Sequence, residues 1–261
     1  MSLKQKVRRL RWRLFGNPKL KDKRYPAYWF QKILGDKEVQ IVQIGSNDGR
    51  SGDPIYHLLQ KRTNWHGLFV EPISYIFENL KKNYPDSTRF RFENSAINKG
   101  ESLEFHWVDP IAKKHLPDLP FYYDQLGSFN KDHIVKALDG ILAPYIISEK
   151  VNGITLDTLL KKHQIADFDI LHIDVEGYDW EVLSQLNQEK NQPTFILYEA
   201  VHLSKSDLKQ SADFLENNYC LFRFEGDILA ANKKVGDKFL HGMERNLKVF
   251  DLKNYPSKTN K

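Results

Sequence analysis

The sequence predicts an α/β fold with a mostly parallel central sheet and helices on both of its faces. Two observations predict it. From Val39 onward, short apolar runs alternate with amphipathic segments, which is typical of βαβ units. The first run leads directly into a glycine-rich turn, Gly45-Ser46-Asn47-Asp48-Gly49, and then into a helical pattern. The 261 residues are enough for one such domain with appendages, or for two small domains.

The apolar runs and the segments between them predict the elements in chain order. Strands of the sheet are predicted at Val39–Ile44, Gly67–Val70, Arg89–Asn94, Phe168–Asp174 and Thr194–Glu199, with closing strands at Leu221–Phe224, Ile228–Ala231 and Leu247–Phe250. Helices are predicted at about 54–63, 73–83, 178–187 and 205–217. The segment 97–108, with Asn98-Lys99-Gly100 at its tip, predicts a hairpin that pairs with the third strand.

Basic charge is concentrated at the N-terminus. Residues 1–38 are predicted to be a basic extension of a domain that spans 39–261. Residues 1–24 hold ten Lys or Arg and one acidic residue, whereas the net charge of the whole chain is +5. The rest of the chain is therefore mildly acidic, and its charge gives no reason to expect nucleic-acid binding.

The extension also carries a helical pattern. Apolar residues recur at helical spacing among arginines, which predicts a basic amphipathic helix over 3–15. Two interpretations stay open: the helix packs on its own domain, or it contacts an anionic membrane surface or a partner. The apolar positions are Leu3, Val7, Leu10 and Leu14.

Composition favours a cytoplasmic protein. No apolar run approaches the roughly 20 residues that span a bilayer, and the N-terminus lacks the apolar core of a secretory signal. A single cysteine, Cys220, allows no internal disulfide and fits a reducing compartment.

Residues 109–150 interrupt the alternation of strands and helices. Long irregular insertions in compact domains are usually functional loops. We therefore expect a lid or an acceptor-binding insertion, whose aromatic side chains either stack on a sugar or apolar ring or pack within the lid. The segment combines Pro110, Pro117, Pro120 and Pro144 with Phe121, Tyr122, Tyr123, Phe129 and Tyr145.

The glycine-rich turn predicts the kind of ligand. A dinucleotide fingerprint that starts at Gly45 needs glycine at positions 47 and 50, where the chain has Asn47 and Arg50. No G-K-[S/T] follows, which excludes a P-loop, and the carboxylate of Asp48 would repel a pyrophosphate. A ligand with a cationic amino group and no phosphate, such as S-adenosyl-L-methionine (SAM), suits the turn better.

The ends of the second and third strands complete a nucleoside site. Glu71 follows the second strand, where an acid can accept both hydroxyls of a ribose. The alternative is an acid in the first turn of a helix, ahead of Pro72. By topology alone, the adenine edge is expected at Asn94, Ser95 and Ala96.

The densest group of chemically active residues follows the fourth strand. In an extended strand His172, Asp174 and Glu176 share one face. Glu199 ends the fifth strand, with His202 three residues later. A structural ion-pair cluster is the alternative interpretation. Methyl transfer needs an aligned acceptor and a base, and Asp174 or Glu176 is the expected base, with His172 or His202 as rivals.

The same five residues are also metal ligands by type. Carboxylates and imidazoles hold Mg²⁺ or similar ions. No local H-x-x-x-H or C-x-x-C spacing supports a metal site, and we therefore assign no metal ligand from the sequence.

Four segments, in this order, resemble the marker segments of the FkbM family of SAM-dependent methyltransferases. They are Val42–Gly49, Phe69–Pro72, Ile154–Asp157 and Ile173–Asp179, and the similarity spans about residues 39–232. The resemblance implies a class I methyltransferase (Rossmann-like) three-layer sandwich. It also implies an O-methyltransferase that acts on sugars, glycans, polyketides or other secondary metabolites.

The resemblance also implies roles for single residues. The implied SAM contacts are Gly45, Ser46, Asp48 and Glu71, and the flanking Asn47, Gly49 and Pro72 are expected beside them. Asp174 and Glu176 are implied to lie in the active site, Asp174 also near the cofactor. Acceptor contacts are expected from Ser128, Tyr178, Glu199 and His202.

Two positions depart from the family pattern. His172 stands where the family usually has lysine, which would make catalysis pH-dependent near neutrality if that position acts on the acceptor or on a carboxylate. Gln43 stands where related enzymes often carry an acid. Two rival functions remain: a nucleotide-dependent oxidoreductase and a non-catalytic module with the same fold.

Overall fold

Strands and helices alternate along the backbone in the predicted order. The computed structural model describes residues 20–120, 123 and 126–255. The helices are α1 Pro26–Leu34, α2 Tyr56–Lys61, α3 Ser74–Asn83, α4 Ala112–His115, α5 Lys131–Lys136, α6 Leu156–Lys162, α7 Asp179–Leu183, α8 Lys205–Leu215 and α9 Asp237–Glu244. The strands are β1 Val39–Ile44, β2 Trp65–Val70, β3 Phe90–Glu93, β4 Ala96–Ile97, β5 Leu103–Val108, β6 Ile146–Val151, β7 Gly153–Ile154, β8 Ile170–Ile173, β9 Phe195–Glu199, β10 Tyr219–Phe224, β11 Asp227–Asn232 and β12 Lys248–Val249.

Eight of the strands form one central sheet in the order β12-β10-β11-β9-β8-β1-β2-β3. The five strands β3, β2, β1, β8 and β9 run parallel, whereas β11 is antiparallel to both of its neighbours. In register, Ile44 lies opposite Val70 and Ile173, and Ile173 lies opposite Tyr198. The carboxyl ends of β1, β2, β8 and β9 therefore meet at one edge of the sheet.

Apolar side chains bury both faces of this sheet. Val42 and Ile44 belong to one core cluster, and Ile41 belongs to another. Successive strand residues point to opposite faces, so the two clusters lie on opposite sides of β1. The predicted α/β three-layer sandwich with a mostly parallel central sheet is confirmed.

Residues 20–38 pack into the core of the sheet. Helix α1 buries Trp29 and Phe30, and the Phe30 ring lies 4.8 Å from the Phe195 ring of β9. Residues 20–38 therefore complete one apolar layer of the domain, although the sequence predicted them to belong to a separate extension. The predicted basic helix over 3–15 lies outside the described residues.

The predicted hairpin over 97–108 is wrong. Its turn exists, because the Asn98 side chain accepts hydrogen bonds from the backbone N–H groups of Gly100 and Glu101. Its two arms, however, pair with distant segments: β4 pairs parallel with β7, and β5 pairs antiparallel with β6. Gly153 makes the first pairing possible, because a Cβ there would lie 2.1 Å from Asn98 Oδ1. Neither arm joins the central sheet.

The insertion 109–150 has a small core of its own. Besides α4 and α5 it contains two 3₁₀ turns, Ala137–Gly140 and Ala143–Tyr145. Tyr123, Ile134 and Leu142 are buried there together. Phe121 and Tyr122 lie outside the described residues. Within the described part of the chain, no helix has the length and apolar character to cross a membrane.

Candidate active site

A crevice opens where the carboxyl ends of β1, β2, β3 and β8 meet. Open α/β sheets bind their ligands at this edge. Of the residues predicted for the site, those that line the crevice are Gly45, Ser46, Asn47, Glu71, Pro72, Ser95, Ala96, His172, Asp174, Glu176 and Tyr178.

The turn after β1 holds two strand ends together. Gly45 has φ of +75°, and a Cβ on it would lie 1.8 Å from the carbonyl oxygen of Asp174. Ser46 is buried, donates its hydroxyl to the Gln43 carbonyl (3.0 Å) and accepts from the Val70 N–H (3.2 Å). The glycine thus permits contact with the end of β8, and the serine ties β1 to β2.

Glu71 is held in place by backbone donors. Its carboxylate accepts from the N–H groups of Asn47 and Ile73, both at 2.9 Å. The residue is 5% exposed, and burial raises the pKa of Glu71 to about 7, although the two hydrogen bonds act in the opposite direction. Each carboxylate oxygen keeps a lone pair for a ligand hydroxyl.

An apolar slot continues from Glu71 past the end of β3. Ser95 does not face it with a free hydroxyl, because that group donates to Glu93 (2.8 Å). Glu93 in turn is anchored by Lys162 and His163. The apolar lining comes from Ile73, Ile76, Ala96, Ile97, Phe105 and Phe129. A flat, mostly apolar ring fits this slot.

Six of the predicted residues do not line the crevice: Asp48, Gly49, Asn94, Ser128, Glu199 and His202. The Asp48 carboxylate accepts from the N–H groups of Arg50 and Ser51 and so caps its own turn. Asn94 donates to the carbonyls of Glu71 and Pro72. These side chains shape the loops around the crevice.

Gly49 and Ser128 pack behind the crevice wall. The Gly49 carbonyl accepts from the Tyr84 hydroxyl (2.7 Å). Ser128 is buried, pairs with the His106 backbone and accepts from the Asn130 N–H (3.1 Å). Its neighbours Gly127 and Phe129 line the crevice instead.

Sequence reasoning missed Asp53. This partly buried residue lines the crevice and accepts from the Gln43 side chain (2.7 Å) and from the N–H groups of Ile55 and Tyr56. Burial raises the pKa of Asp53 to about 6. In the sequence it resembles an ordinary acid ahead of a helix, and only its bond to Gln43 at the end of β1 brings it into the site.

His172 and Asp174 enter the crevice from the end of β8. His172 is 5% exposed, and its Nδ1 has no hydrogen-bond partner. Burial lowers the pKa of His172 to about 4, so the imidazole is neutral at pH 7. At this pKa, any effect of His172 protonation on catalysis would fall at a more acidic pH than the sequence led us to expect.

The predicted shared face does not extend to Glu176. The strand ends at Ile173, and Glu176 adopts φ of +52° in the loop that follows. This turn takes Glu176 out of the alternation and brings its carboxylate within 3.5 Å of the His202 ring nitrogen. The loop is fixed by Asp179, which accepts from the Gly177 N–H (3.2 Å).

Carboxylates crowd the ends of β8, β9 and β11. Glu199 lies opposite Asp227 in register, and Asp174 follows the residue opposite Tyr198. The surrounding protein atoms and then the charge of Glu176 raise the pKa of Asp174 well above its usual value. Burial and then the charges of Asp174 and Glu176 raise the pKa of Glu199 to about 11. Because the ionised forms of these groups repel one another, a bound cation would favour their ionised state.

The insertion reaches the crevice through aromatic contacts. The Tyr178 ring lies 5.1 Å from the Phe129 ring, and Phe129 lies 5.1 Å from Phe105. Tyr178 and Phe129 therefore form a wall between the apolar slot and the carboxylates.

The lining of the crevice favours ligands that carry positive charge. Asp53, Glu71, Asp174 and Glu176 line it, whereas its described lining includes neither Lys nor Arg. A ligand with hydroxyls and positive charge fits, and a polyphosphate meets only like charge.

We predict that Gly45→Ala lowers the free energy of unfolding more than Gly236→Ala. Both glycines have positive φ, and that strain alone costs about 1–3 kcal/mol. A Cβ on Gly236 meets no atom within 4 Å, whereas a Cβ on Gly45 overlaps the Asp174 backbone, which adds about 1–3 kcal/mol. Urea unfolding measures both; equal losses would contradict the contact.

Solved structures that match this chain do so at low identity and with TM-scores below 0.5. A chain of the fibrillarin/Nop5p complex is 12% identical (TM-score 0.38), and the match covers 75% of this chain and 72% of that chain. The precorrin-6Y C5,15-methyltransferase from Geobacter metallireducens is 12% identical (TM-score 0.37; 78% and 83% covered). The ribosomal protein L11 methylase from Lactobacillus delbrueckii subsp. bulgaricus is 10% identical (TM-score 0.38; 83% and 79% covered).

The family assignment depends on the sequence match. No curated protein matches the chain at a significant level. A family model described as the methyltransferase FkbM domain matches residues 43–224, which is more than half of the chain. The protein therefore belongs to the FkbM family of methyltransferases.

Proposed function

We propose that the protein transfers a methyl group from SAM to a hydroxyl oxygen of a sugar, glycan or secondary-metabolite acceptor. The observation that carries the proposal is the set of acids in the crevice: a buried Glu71 at one end, Asp174 and Glu176 at the other, and neither Lys nor Arg in its described lining. Family membership supplies the reaction class.

The residues of the crevice fit SAM. Glu71 would accept the ribose hydroxyls, the slot beside Ala96 and Ile97 would hold the adenine, and Asp53 lies where it can pair with the amino group. When bound, SAM supplies a methyl group on a positively charged sulfonium. The carboxylate of Asp174 favours that charge, because opposite charges attract strongly in a site partly shielded from water.

Asp174 is the proposed general base. Its raised pKa makes the ionised carboxylate a stronger proton acceptor than an ordinary Asp, and the positive charge of bound SAM would favour that ionised form. Asp174 lies at the carboxyl end of β8 inside the crevice. It would take the proton of the acceptor hydroxyl as the new C–O bond forms. Neutral His172 beside it can accept a hydrogen bond but carries no positive charge to hold a carboxylate. We assign Tyr178 to the acceptor side of the crevice.

The oxidoreductase alternative is disfavoured by the same charges. A nicotinamide dinucleotide would bring a pyrophosphate next to Asp53 and Asp174, with no cation in the described lining to offset it. Calorimetry with SAM and with NAD separates the two cofactors. Release of S-adenosylhomocysteine in the presence of hydroxylated acceptors separates an enzyme from a non-catalytic module.

We predict that Glu71→Ala raises the Kd for SAM about tenfold or more. The variant loses a charge-assisted hydrogen bond to the ribose, and a loss of about 1.4 kcal/mol corresponds to a tenfold rise in Kd. Isothermal calorimetry measures the change. Glu78→Ala, on the exposed side of α3, serves as the control and should leave the Kd unchanged. An unaltered Kd in Glu71→Ala would remove the ribose assignment.

We predict that SAM affinity rises with pH through about 7. The pKa of Glu71 is raised, so the group is neutral below that pH and ionised above it, and only the carboxylate accepts two hydroxyl protons. Affinity should therefore increase between about pH 6 and pH 8 and then level off. Glu71→Gln cannot ionise and should bind weakly with no such rise; a parallel rise in that variant would assign the effect elsewhere.

We predict that Asp174→Asn keeps the Kd for SAM within a few-fold yet lowers kcat by about 10²–10⁴-fold, which is the usual contribution of a general base. The assay is release of S-adenosylhomocysteine with a panel of sugar and secondary-metabolite hydroxyl compounds. Asp213→Asn, a surface acid paired with Lys209, is the matched control. Full activity in Asp174→Asn would end its role as base.

A further inference from the structure

A second cluster of potential ligands lies next to the crevice, at the ends of β8 and β9. It consists of Glu176, Glu199 and His202. One carboxylate oxygen or ring nitrogen from each residue lies within 4.8 Å of the others. Two carboxylates and one imidazole form a mixed oxygen and nitrogen donor set, which suits divalent first-row metals.

The distances from His202 to the two carboxylates of this cluster are longer than hydrogen bonds. His202 Nε2 lies 3.5 Å from Glu176 Oε2 and 3.7 Å from Glu199 Oε1. A hydrogen bond from a ring nitrogen to a carboxylate spans about 2.7–3.2 Å. Two ligands that share one ion at about 2.1 Å lie roughly 3.0–3.5 Å apart. The three ligand atoms lie within 4.8 Å of one another, so the side chains would have to move closer together to share one ion.

Near the cluster, Glu199 and Asp179 each have a carboxylate oxygen without a hydrogen-bond partner. Glu199 Oε2 is excluded from solvent and has no hydrogen-bond partner, and the same holds for Oδ1 of Asp179, a fully buried residue. Buried polar atoms are normally satisfied, so each of these oxygens needs a partner, and a bound cation is one group that can supply it.

The backbone brings the three ligands together without a local sequence signal. Glu199 is the last residue of β9, beside the end of β8. The turn at Glu176 and Gly177 packs on His202, since a Cβ on Gly177 would lie 3.4 Å from the histidine Cβ. The ligands therefore come from the segments at the ends of β8 and β9. These segments are neighbours only because the two strands pair in parallel.

We propose that Glu176, Glu199 and His202 bind a divalent transition-metal ion, with Mn²⁺ as the metal that matches the donor set. This site revises the sequence argument, which assigned no metal. Its place in catalysis rests on the proposed function: beside Asp174, the ion would coordinate the acceptor hydroxyl and make its proton easier to remove. Binding of the ion does not depend on that function.

The test uses the full-length protein after treatment with a chelator and dialysis. Mn²⁺ alone is titrated by calorimetry, and the bound ion is examined by pulsed electron paramagnetic resonance. We expect one ion per chain and a modulation from the imidazole nitrogen of His202. Absence of binding up to millimolar Mn²⁺, or a bound ion without nitrogen coupling, overturns the proposal.

Variants locate the ion. Glu199→Gln and His202→Asn should each weaken Mn²⁺ binding about tenfold or more. Glu225→Gln, which removes a nearby charge outside the ligand set, should bind as the native protein does. Equal weakening in all three variants would indicate a general charge effect and contradict the site. The nitrogen signal of the native protein keeps the test valid if a ligand variant fails to fold. No step includes SAM or an acceptor, so the outcome is independent of methyl transfer.

Discussion

The site depends on the close approach of Gly45 to the backbone of Asp174. Backbone hydrogen bonds fix this approach on both sides: the Gly45 N–H donates to the Val70 carbonyl (3.1 Å), and the Asp174 N–H donates to the Ile44 carbonyl (3.0 Å). The turn that follows presents the Asn47 N–H to Glu71. The contact between Gly45 and the Asp174 backbone, which leaves no room for a Cβ, thus sets the distance between the two ends of the crevice.

The carboxylates at these two ends differ in how their charge is stabilised. Glu71 is paired with two backbone N–H donors, which oppose the effect of burial on its pKa. Asp174 and Glu199 are surrounded by other acids, which add to the effect of burial. The first arrangement is suited to neutral hydroxyls. The second is suited to cations, because a bound positive charge removes the repulsion among several groups at once.

Local patterns predicted the parts of the fold that local chemistry determines. Strand β1 was predicted with its observed bounds, and Gly45, Glu71 and Asp174 line the crevice as expected. The hairpin at 97–108 failed because its partners lie about 50 residues away, and no alternation of apolar residues encodes that pairing. Asp48 was expected at the site and Asp53 was not. Asp48 instead caps its own turn, whereas Asp53 lines the crevice and accepts a hydrogen bond from Gln43. The bend at Glu176 was missed because the alternation of side chains in β8 was assumed to continue past Ile173, where the strand ends.

The lack of charge on the His172 side chain bears on both ligands that we propose, SAM and a divalent metal ion. The FkbM pattern usually has a lysine at this position, and an ammonium group there would offset the carboxylates at the end of β8. His172 is buried and uncharged, and it cannot do so. When these carboxylates are ionised, their negative charge must then be met by cations from outside the polypeptide. A sulfonium beside Asp174 and a divalent ion between Glu176 and Glu199 would each supply positive charge, so both proposed ligands depend on the same group of carboxylates.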